Sequence, residues 1–150
     1  MMDRLKAMNS PAAQKNKDPI LDVLRVILPS TGVILEIASG WGDHITYFAP
    51  HFPKLLWYPT EITAEKINGI KNRIAVEDSM IQNPRYLDAR LQPWPLDSCS
   101  VIICINMLHI SPWNSTEGLL RGAGATLTKN GLLYLYGPFV QSGVPLAPTN

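Results

Sequence analysis

The chain has 150 residues, of which 46% are hydrophobic and 17% are charged, and its formal net charge is +1. This length and composition predict one globular domain with a buried core, and they exclude a disordered or fibrous chain. The near-neutral charge, without a long basic block, gives no support for a nucleic-acid partner or for binding to an acidic membrane surface.

The N-terminal segment, residues 1–17, is polar and charged, and it lacks an apolar stretch as long as a signal peptide needs. No apolar run elsewhere in the sequence has the length of a membrane span. We therefore expect a soluble protein in the cytoplasm or another intracellular compartment, without a membrane partner.

Helices and strands are predicted to alternate along the rest of the sequence. The dipeptide Asp18–Pro19 predicts a helix start, with the aspartate as N-cap and the proline in the first helical position. Apolar runs with flanking turn residues predict five strands, at residues 33–37, 55–58, 84–87, 101–105 and 132–136. Apolar residues at helical spacing predict helices at residues 18–28, 42–50 and 115–127, and another that Thr63 caps.

This alternation is typical of a parallel α/β sheet with right-handed crossovers. Residues 18–137 are expected to form the domain, and the proline-containing residues 138–150 a loop-like tail. Cys99 and Cys104 lie in or beside the fourth predicted strand without a neighbouring histidine cluster. They are therefore predicted to be buried free thiols, with no metal site.

The loop after the first predicted strand carries the clearest functional signal. Ala38, Ser39, Gly40 and Gly42 are small, so a ligand can lie against bare backbone there. Glu61 follows Gly42 by 19 positions, after the second predicted strand, where nucleotide-binding domains place an acid for the ribose hydroxyls. The pattern predicts binding of a nucleoside-type cofactor.

Polar or glycine residues also follow the other predicted strands. In parallel sheets, ligands bind beyond the carboxyl ends of the strands, where such residues meet. The segments to inspect are 39–42, Glu61, Asp88, 106–113 and 137–138.

Two cofactor classes use this architecture, and two residues of the loop discriminate between them. Ile45 stands where a dinucleotide site needs a third small residue, and the carboxylate of Asp43 would repel a pyrophosphate. S-adenosylmethionine has no phosphate and carries a positive sulfonium and an amine. The loop therefore favours the methyl donor, and an NAD(P)-dependent oxidoreductase is the less favoured alternative.

From these residues the chain resembles the class I S-adenosylmethionine-dependent methyltransferases. Their glycine-rich first motif is similar to residues 35–42, and their later strand-end motifs are similar to residues 87–89, 93–97 and 106–109. More narrowly, the chain resembles the uncharacterised DUF938 group, which includes methyltransferase-like protein 26. The segments that carry this narrower resemblance are residues 16–21, 48–50, 109–113 and 133–139.

The resemblance implies a Rossmann-like three-layer sandwich with a mostly parallel sheet of about five strands. It also implies S-adenosyl-L-methionine as cofactor and a methyl acceptor that the sequence does not identify. The alternative is a protein that binds the donor without catalysis, or that needs a partner. The family continues past the fifth strand with an antiparallel hairpin that this sequence lacks, so we expect strand 132–136 to present an edge for self-association or for a partner.

The resemblance also assigns residues to the donor. Residues 38–42 would pass under its methionine part, Glu61 would bind the ribose hydroxyls, and Asp88 would accept from the adenine amino group. The complete set of cofactor-binding candidates is Glu36, Ala38, Ser39, Gly40, Gly42, Glu61, Asp88, Ala89 and Asn106.

A general base is needed only if the acceptor must lose a proton. His109, just after the fourth predicted strand, is the first candidate for this catalytic role, and Tyr136 is the second. The alternative for His109 is a structural residue that bonds its own loop. Trp41 is bulkier than the small residue that the motif usually has, so it either crowds the site or closes over the ligand.

Overall fold

The computed structural model of the protein describes residues 9–74 and 78–145, and its centre is a five-stranded sheet. All four strand pairings are parallel, which confirms the predicted parallel α/β sheet of about five strands. The strands are β1 (Gly32–Ile37), β2 (Leu55–Glu61), β3 (Arg85–Tyr86), β4 (Cys99–Ile105) and β5 (Leu127–Tyr136).

The strand order β3-β2-β1-β4-β5 puts β1 in the middle of the sheet. The chain fills one side with β2 and β3 and then crosses to the other side for β4 and β5. The carboxyl ends of β1 and β4 therefore flank the point where the order reverses, which is where open α/β sheets bind ligands. The helices are α1 (Pro11–Ile27), α2 (Asp43–Phe48), α3 (Ala64–Arg73), α4 (Met107–Ile110) and α5 (Trp113–Thr126).

Helix α1 begins earlier than the sequence predicts. Ser10 is its N-cap: the Ser10 hydroxyl accepts a hydrogen bond from the Ala13 amide at 3.3 Å, and Pro11 opens the helix. The predicted start at Asp18–Pro19 is wrong, because Pro19 lies inside the helix. A proline removes one backbone hydrogen bond there, but buried Ile20, Leu21 and Leu24 hold the helix against the sheet.

Apolar side chains alternate between the two faces of the sheet and form two core clusters. One cluster joins α1 and α2 to β1 and β2, and the other joins α5 to β1 and β4. Cys99 and Cys104 are buried free thiols, as predicted, and burial raises their pKa to about 11 and about 12. The first cluster includes Ile20, Leu24, Ile34, Phe48 and Trp57, and the second includes Leu35, Ile37, Ile102, Leu119 and Ala123.

Strand β5 begins at Leu127, earlier than the predicted residue 132, because a bulge extends the strand at this end. Leu127 pairs with Cys99 and Leu132 pairs with Val101, so extra residues on β5 stand opposite one residue of β4. Asn130, in that bulge, has φ 64°. Among the described strands, β5 pairs only with β4, so its other edge is free. In the part of the chain that the structure describes, no helix has both the length and the apolarity needed to cross a bilayer.

Candidate functional site

The carboxyl ends of the strands open into two adjoining cavities. The first has a volume of about 250 Å³ and lies among Glu61, Asp88 and the start of α5. The second has a volume of about 410 Å³ and lies between the loop after β1 and the start of α1. Ala38, Lys66 and Ile110 line both cavities. The two cavities therefore form one trough across the switch point of the sheet.

The loop after β1 has an unusual backbone. Ala38, Gly40 and Gly42 all have positive φ, at 56°, 62° and 85°. An added Cβ at Gly40 meets no atom within 4 Å, so the backbone there borders open space. Ala38 is the one residue of the three that has a side chain, and the left-handed region disfavours it. The loop thus presents bare backbone to the second cavity, at a cost in strain.

Ser39 fixes this loop to β2. Its amide donates to the carbonyl oxygen of Thr60 at 2.8 Å, and the Thr60 amide donates back to the Ser39 hydroxyl at 3.0 Å. The Thr60 hydroxyl donates to the carbonyl oxygen of Glu36 at 2.7 Å. Because Glu61 follows Thr60 directly, these bonds hold the carboxylate of Glu61 beside the loop.

Glu36 is buried in β1 under the loop. Both of its carboxylate oxygens lack a hydrogen-bond partner among the described residues. Burial, the largest cause, raises its pKa to about 8; the nearby Ser39 hydroxyl lowers it, and the charges of Asp43 and Glu61 raise it by smaller amounts. The carboxyl group is therefore mostly protonated near neutral pH. It is also the kind of unsatisfied buried group that marks a functional site.

Two acids line the first cavity. Glu61 is only 4% exposed, and its Oε2 accepts a hydrogen bond from the Ile62 amide at 3.1 Å. Asp88 accepts three hydrogen bonds from the Arg90 guanidinium, which hold the pKa of Asp88 below its ordinary value. Ala89 packs so closely on α5 that a Cβ added at Gly118 would overlap its carbonyl.

Asn106 joins the ends of β4 and β5. It has φ 65°, and its amide donates to the carbonyl oxygen of Tyr136 at 2.8 Å. His109 donates its amide to Asn106 at 3.2 Å, and its ring stands edge-on to Phe139 at 4.9 Å between centroids. Gly137 lies against this ring, because an added Cβ there would overlap it. Both His109 and Tyr136 lie outside the walls of the two cavities described above.

The structure therefore brings most of the predicted cofactor residues together. Glu36 lies beneath the loop without lining either cavity, and Gly42 packs toward Ile70 and Arg73 of α3. The predicted residues that line the trough are Ala38, Ser39, Gly40, Glu61, Asp88, Ala89 and Asn106.

The sequence interpretation missed several polar residues of the trough, because their partners are distant in the chain. His44 lines the second cavity and meets Asn16 of α1 at 2.7 Å. Asp43 forms an ion pair with Arg73 at 3.1 Å, and this pair offsets the charge on which the argument against a pyrophosphate partly rested. The part of that argument that rests on Ile45 stands, since this side chain is fully buried in the core.

A family model described as "Protein of unknown function (DUF938)" matches residues 7–150. Among solved structures, the PH0226 protein of Pyrococcus horikoshii matches with a TM-score of 0.71 and 15% identity, over 85% of this chain and 60% of that one. CalO1, a methyltransferase of calicheamicin biosynthesis in its SAH-bound form, matches with a TM-score of 0.71 and 17% identity, over 89% and 38%.

PKMT2 of Rickettsia typhi, in complex with AdoHcy, matches with a TM-score of 0.62 and 18% identity, over 69% and 20%. The chain thus spans 20% to 60% of the length of these three structures. At such low identity, the likeness shows a shared Rossmann-like fold, in agreement with the predicted three-layer sandwich.

Proposed function

Since this chain belongs to the DUF938 family, whose function is unknown, we propose an activity for it: it binds S-adenosylmethionine and transfers the methyl group to an acceptor. The observation that carries the proposal is the position of Glu61. This buried carboxylate ends β2 beside the strained loop after β1 and lines the first cavity together with Asp88. Two of the three reported structural neighbours, CalO1 and PKMT2, were solved with the demethylated donor product.

The first cavity suits the adenosine part of the donor. Glu61 would accept hydrogen bonds from both ribose hydroxyls, which a neutral side chain binds less tightly. Asp88 would accept from the adenine amino group, and the amide of Ala89 lies next to it in the turn after β3. These groups are already ordered by the bonds to Ile62 and Arg90, so little ordering remains to be done on binding.

The second cavity suits the methionine part. It would lie along the backbone of Ala38, Ser39 and Gly40 and reach toward Asn106 at the end of β4. Gly42 shapes the loop from below, and Glu36 offers two unpartnered oxygens beneath it. Glu36 does not line the cavity, but its unpartnered oxygens support a contact with the ligand amine through a water beneath the loop.

When bound, the donor supplies a methyl group on a positively charged sulfur, which a lone pair of the acceptor displaces in line as the carbon–sulfur bond breaks. The protein then has to align the acceptor and exclude water, and alignment alone supplies much of the rate. His109 and Tyr136 stay candidate bases. The packing of His109 on Gly137 and Phe139 favours its structural alternative.

Two other functions, and two finer predictions about the methyltransferase, stay proposals of lower rank. A donor-binding protein that does not catalyse transfer, or needs a partner, is supported by the free edge of β5. An NAD(P)-dependent oxidoreductase is disfavoured by Ile45. This buried side chain stands where a dinucleotide motif has a small residue that lets the helix pack closely on the strand. A small-molecule acceptor and a cytoplasmic location also stay predictions.

Calorimetric titration with S-adenosylhomocysteine tests the proposal. We expect micromolar binding by the wild type, and a loss of at least about tenfold in Glu61→Ala, because a charge-assisted contact to the ribose disappears. Glu65→Ala removes an exposed acid of the neighbouring helix and is the matched control. A folded wild type that binds NADH instead would establish the oxidoreductase alternative, and one that binds neither ligand would overturn the proposal.

A further inference from the structure

His44 lines the second cavity and forms a partly buried polar pair with Asn16 of α1. The imidazole Nε2 lies 2.7 Å from the side-chain oxygen of Asn16, and the ring stacks on Phe48 at 5.5 Å between centroids. Asn16 is only 8% exposed. The imidazole thus has one fixed orientation, set by a residue of α1 on one side and by an aromatic ring on the other.

The contact with Asn16 fits one tautomer of His44. With the amide oxygen of Asn16 facing the ring, Nε2 carries the proton and donates it to that oxygen. Burial lowers the pKa of His44 to about 4, which keeps the ring neutral near pH 7. The other nitrogen, Nδ1, is then an unprotonated acceptor. Within residues 9–74 and 78–145, no donor lies within hydrogen-bond distance of it.

The neighbouring polar groups of this wall are already engaged. The Ser10 amide donates to Asp43 at 3.4 Å, and the Ser10 hydroxyl caps α1. Asp43 pairs with Arg73, which also donates to the side chain of Asn9 at 3.0 Å. Oδ1 of Asp43 has no hydrogen-bond partner among the described residues, but the Arg73 guanidinium balances its charge. Nδ1 of His44 is therefore a neutral acceptor of this wall that is open to a ligand.

The cavity volumes leave space for a second molecule beside the donor. The second cavity, at about 410 Å³, is larger than the first, at about 250 Å³. The methionine part of the donor, which it would receive, is the smaller half of that molecule. Asn9, Ser10 and His44 line the second cavity and not the first, so this part of the wall belongs to the larger cavity alone.

We propose that the second cavity binds a small methyl acceptor whose N–H or O–H group donates a hydrogen bond to Nδ1 of His44, with Asn16 as the positioning residue. This inference rests on the proposed function. It specifies an amine, amide, alcohol or phenol as the acceptor class, because an ether or a tertiary centre has no hydrogen to donate. His44 serves to bind and orient the acceptor, and a proton that the acceptor releases passes to water, since a weakly basic imidazole does not retain it.

Sinefungin is a suitable probe, because it is a donor analogue in which a carbon that bears an amine replaces the sulfur and its methyl group. That amine places N–H donors at the position of the transferred methyl group, next to the acceptor. We expect His44→Phe to weaken sinefungin binding by about tenfold, the usual value of a hydrogen bond from a charged donor, and to change S-adenosylhomocysteine binding by less than about twofold. His51→Phe, an exposed histidine bonded to Arg25, is the matched control.

Nitrogen-15 NMR of the wild-type imidazole gives a second measurement that needs no variant. The Nδ1 resonance should move upfield on addition of sinefungin and stay in place with S-adenosylhomocysteine. Asn16→Leu should mix the tautomers, whereas Asn16→Asp, which also accepts from Nε2, should retain the single tautomer.

The outcomes separate the two proposals. A wild type that does not bind S-adenosylhomocysteine overturns the proposed function and this inference with it. Normal S-adenosylhomocysteine binding with no specific loss of sinefungin in His44→Phe, and no Nδ1 shift, overturns only the role of His44. Equal losses for both ligands would assign His44 to the donor site and also overturn the acceptor role.

Discussion

Arg90 binds both carboxylate oxygens of Asp88: its Nε donates to Oδ1 at 3.0 Å and its Nη2 donates to Oδ2 at 2.7 Å. The Arg90 amide also donates to Oδ1 at 3.0 Å, and the Nε–H is shared with Oδ2 at 3.2 Å. Arg90 therefore fixes the orientation of Asp88, which lines the first cavity. An adenine amino group bound there would donate to an oxygen that Arg90 already holds in place.

Asp88→Ala should therefore weaken S-adenosylhomocysteine binding by about tenfold, the cost of one hydrogen bond to a charged acceptor. S-inosylhomocysteine, which lacks the amino group, should bind the variant and the wild type equally. Calorimetry with both ligands measures the difference. A loss of the same size for the two ligands would show that Asp88 supports the fold of the turn and does not read the adenine.

Ala38 is strained, because it has φ 56° and carries a side chain. Ala38→Gly should raise the free energy of unfolding by about 0.5–1 kcal/mol, since relief of the left-handed strain exceeds the entropy that glycine adds to the unfolded chain. Urea denaturation followed by circular dichroism measures the change.

The control for this prediction has the opposite sign. Ala125 lies exposed in α5, where a glycine should lower the free energy of unfolding by about 1 kcal/mol. If both substitutions destabilise, the loop after β1 is not strained in solution.

The raised pKa of Glu36 predicts how stability depends on pH. The folded protein holds the proton of Glu36 up to about pH 8, whereas the unfolded chain releases it at its ordinary value of 4.5. Between these values the folded state binds more protons, so stability falls as pH rises, by up to about 1.4 kcal/mol per pH unit. Below the lower value, this group contributes no pH dependence.

Glu36→Gln should remove that slope, because glutamine is a neutral group of the same shape. Denaturation in urea at several pH values between about 5 and 8 compares the two proteins. An identical slope in both would mean that Glu36 is ionised in the folded state, and that water or a bound ion reaches it.

The sequence predicted the strands of the sheet well. It indicated candidate site residues only where a local signal marks them, such as a strand end or a run of small residues. Apolar runs bounded by turn residues are local signals, so the strands and the small-residue loop at 38–42 could be recognised. The start of α1 could not be chosen by local rules, because Ser10–Pro11 and Asp18–Pro19 carry the same capping signature. Ala13 and Asn16, which only the earlier start places in the helix, are both buried, and this burial favours the start at Ser10–Pro11.

The missed polar pairs have a different cause. Asn16 and His44 are on α1 and α2, and Asp43 and Arg73 are on α2 and α3, so each pair joins two helices that are separate in the sequence. No periodicity marks such pairs in one sequence. His109, in contrast, is a candidate base from the sequence because it follows a strand. Its ring, however, packs on Gly137 and Phe139, outside both cavities.

Strand β5 has a free edge among the described strands, and its residues from Leu132 to Leu135 are only half buried. Unpaired edge strands pair with other chains, so we expect self-association of this chain at rising concentration. Light scattering coupled to size-exclusion chromatography measures the mass. A clean monomer at high protein concentration would show that the edge is protected.

Lys66 extends from α3 to the junction of the two cavities and lines both of them. Lys66 as a residue is half buried. An anionic group of a ligand in the trough would therefore be attracted to its ammonium group with less screening than at a fully exposed site. The donor carries one such group, the carboxylate of its methionine part.

Lys66→Met should therefore weaken S-adenosylhomocysteine binding by about fivefold, the value of a partly exposed ion pair. It should leave the affinity for 5′-methylthioadenosine, which has no carboxylate, unchanged. Lys71→Met, on the exposed side of the same helix, is the control. If Lys66→Met weakens both ligands equally, the side chain contacts the nucleoside part, and the carboxylate of the donor is bound elsewhere along the trough.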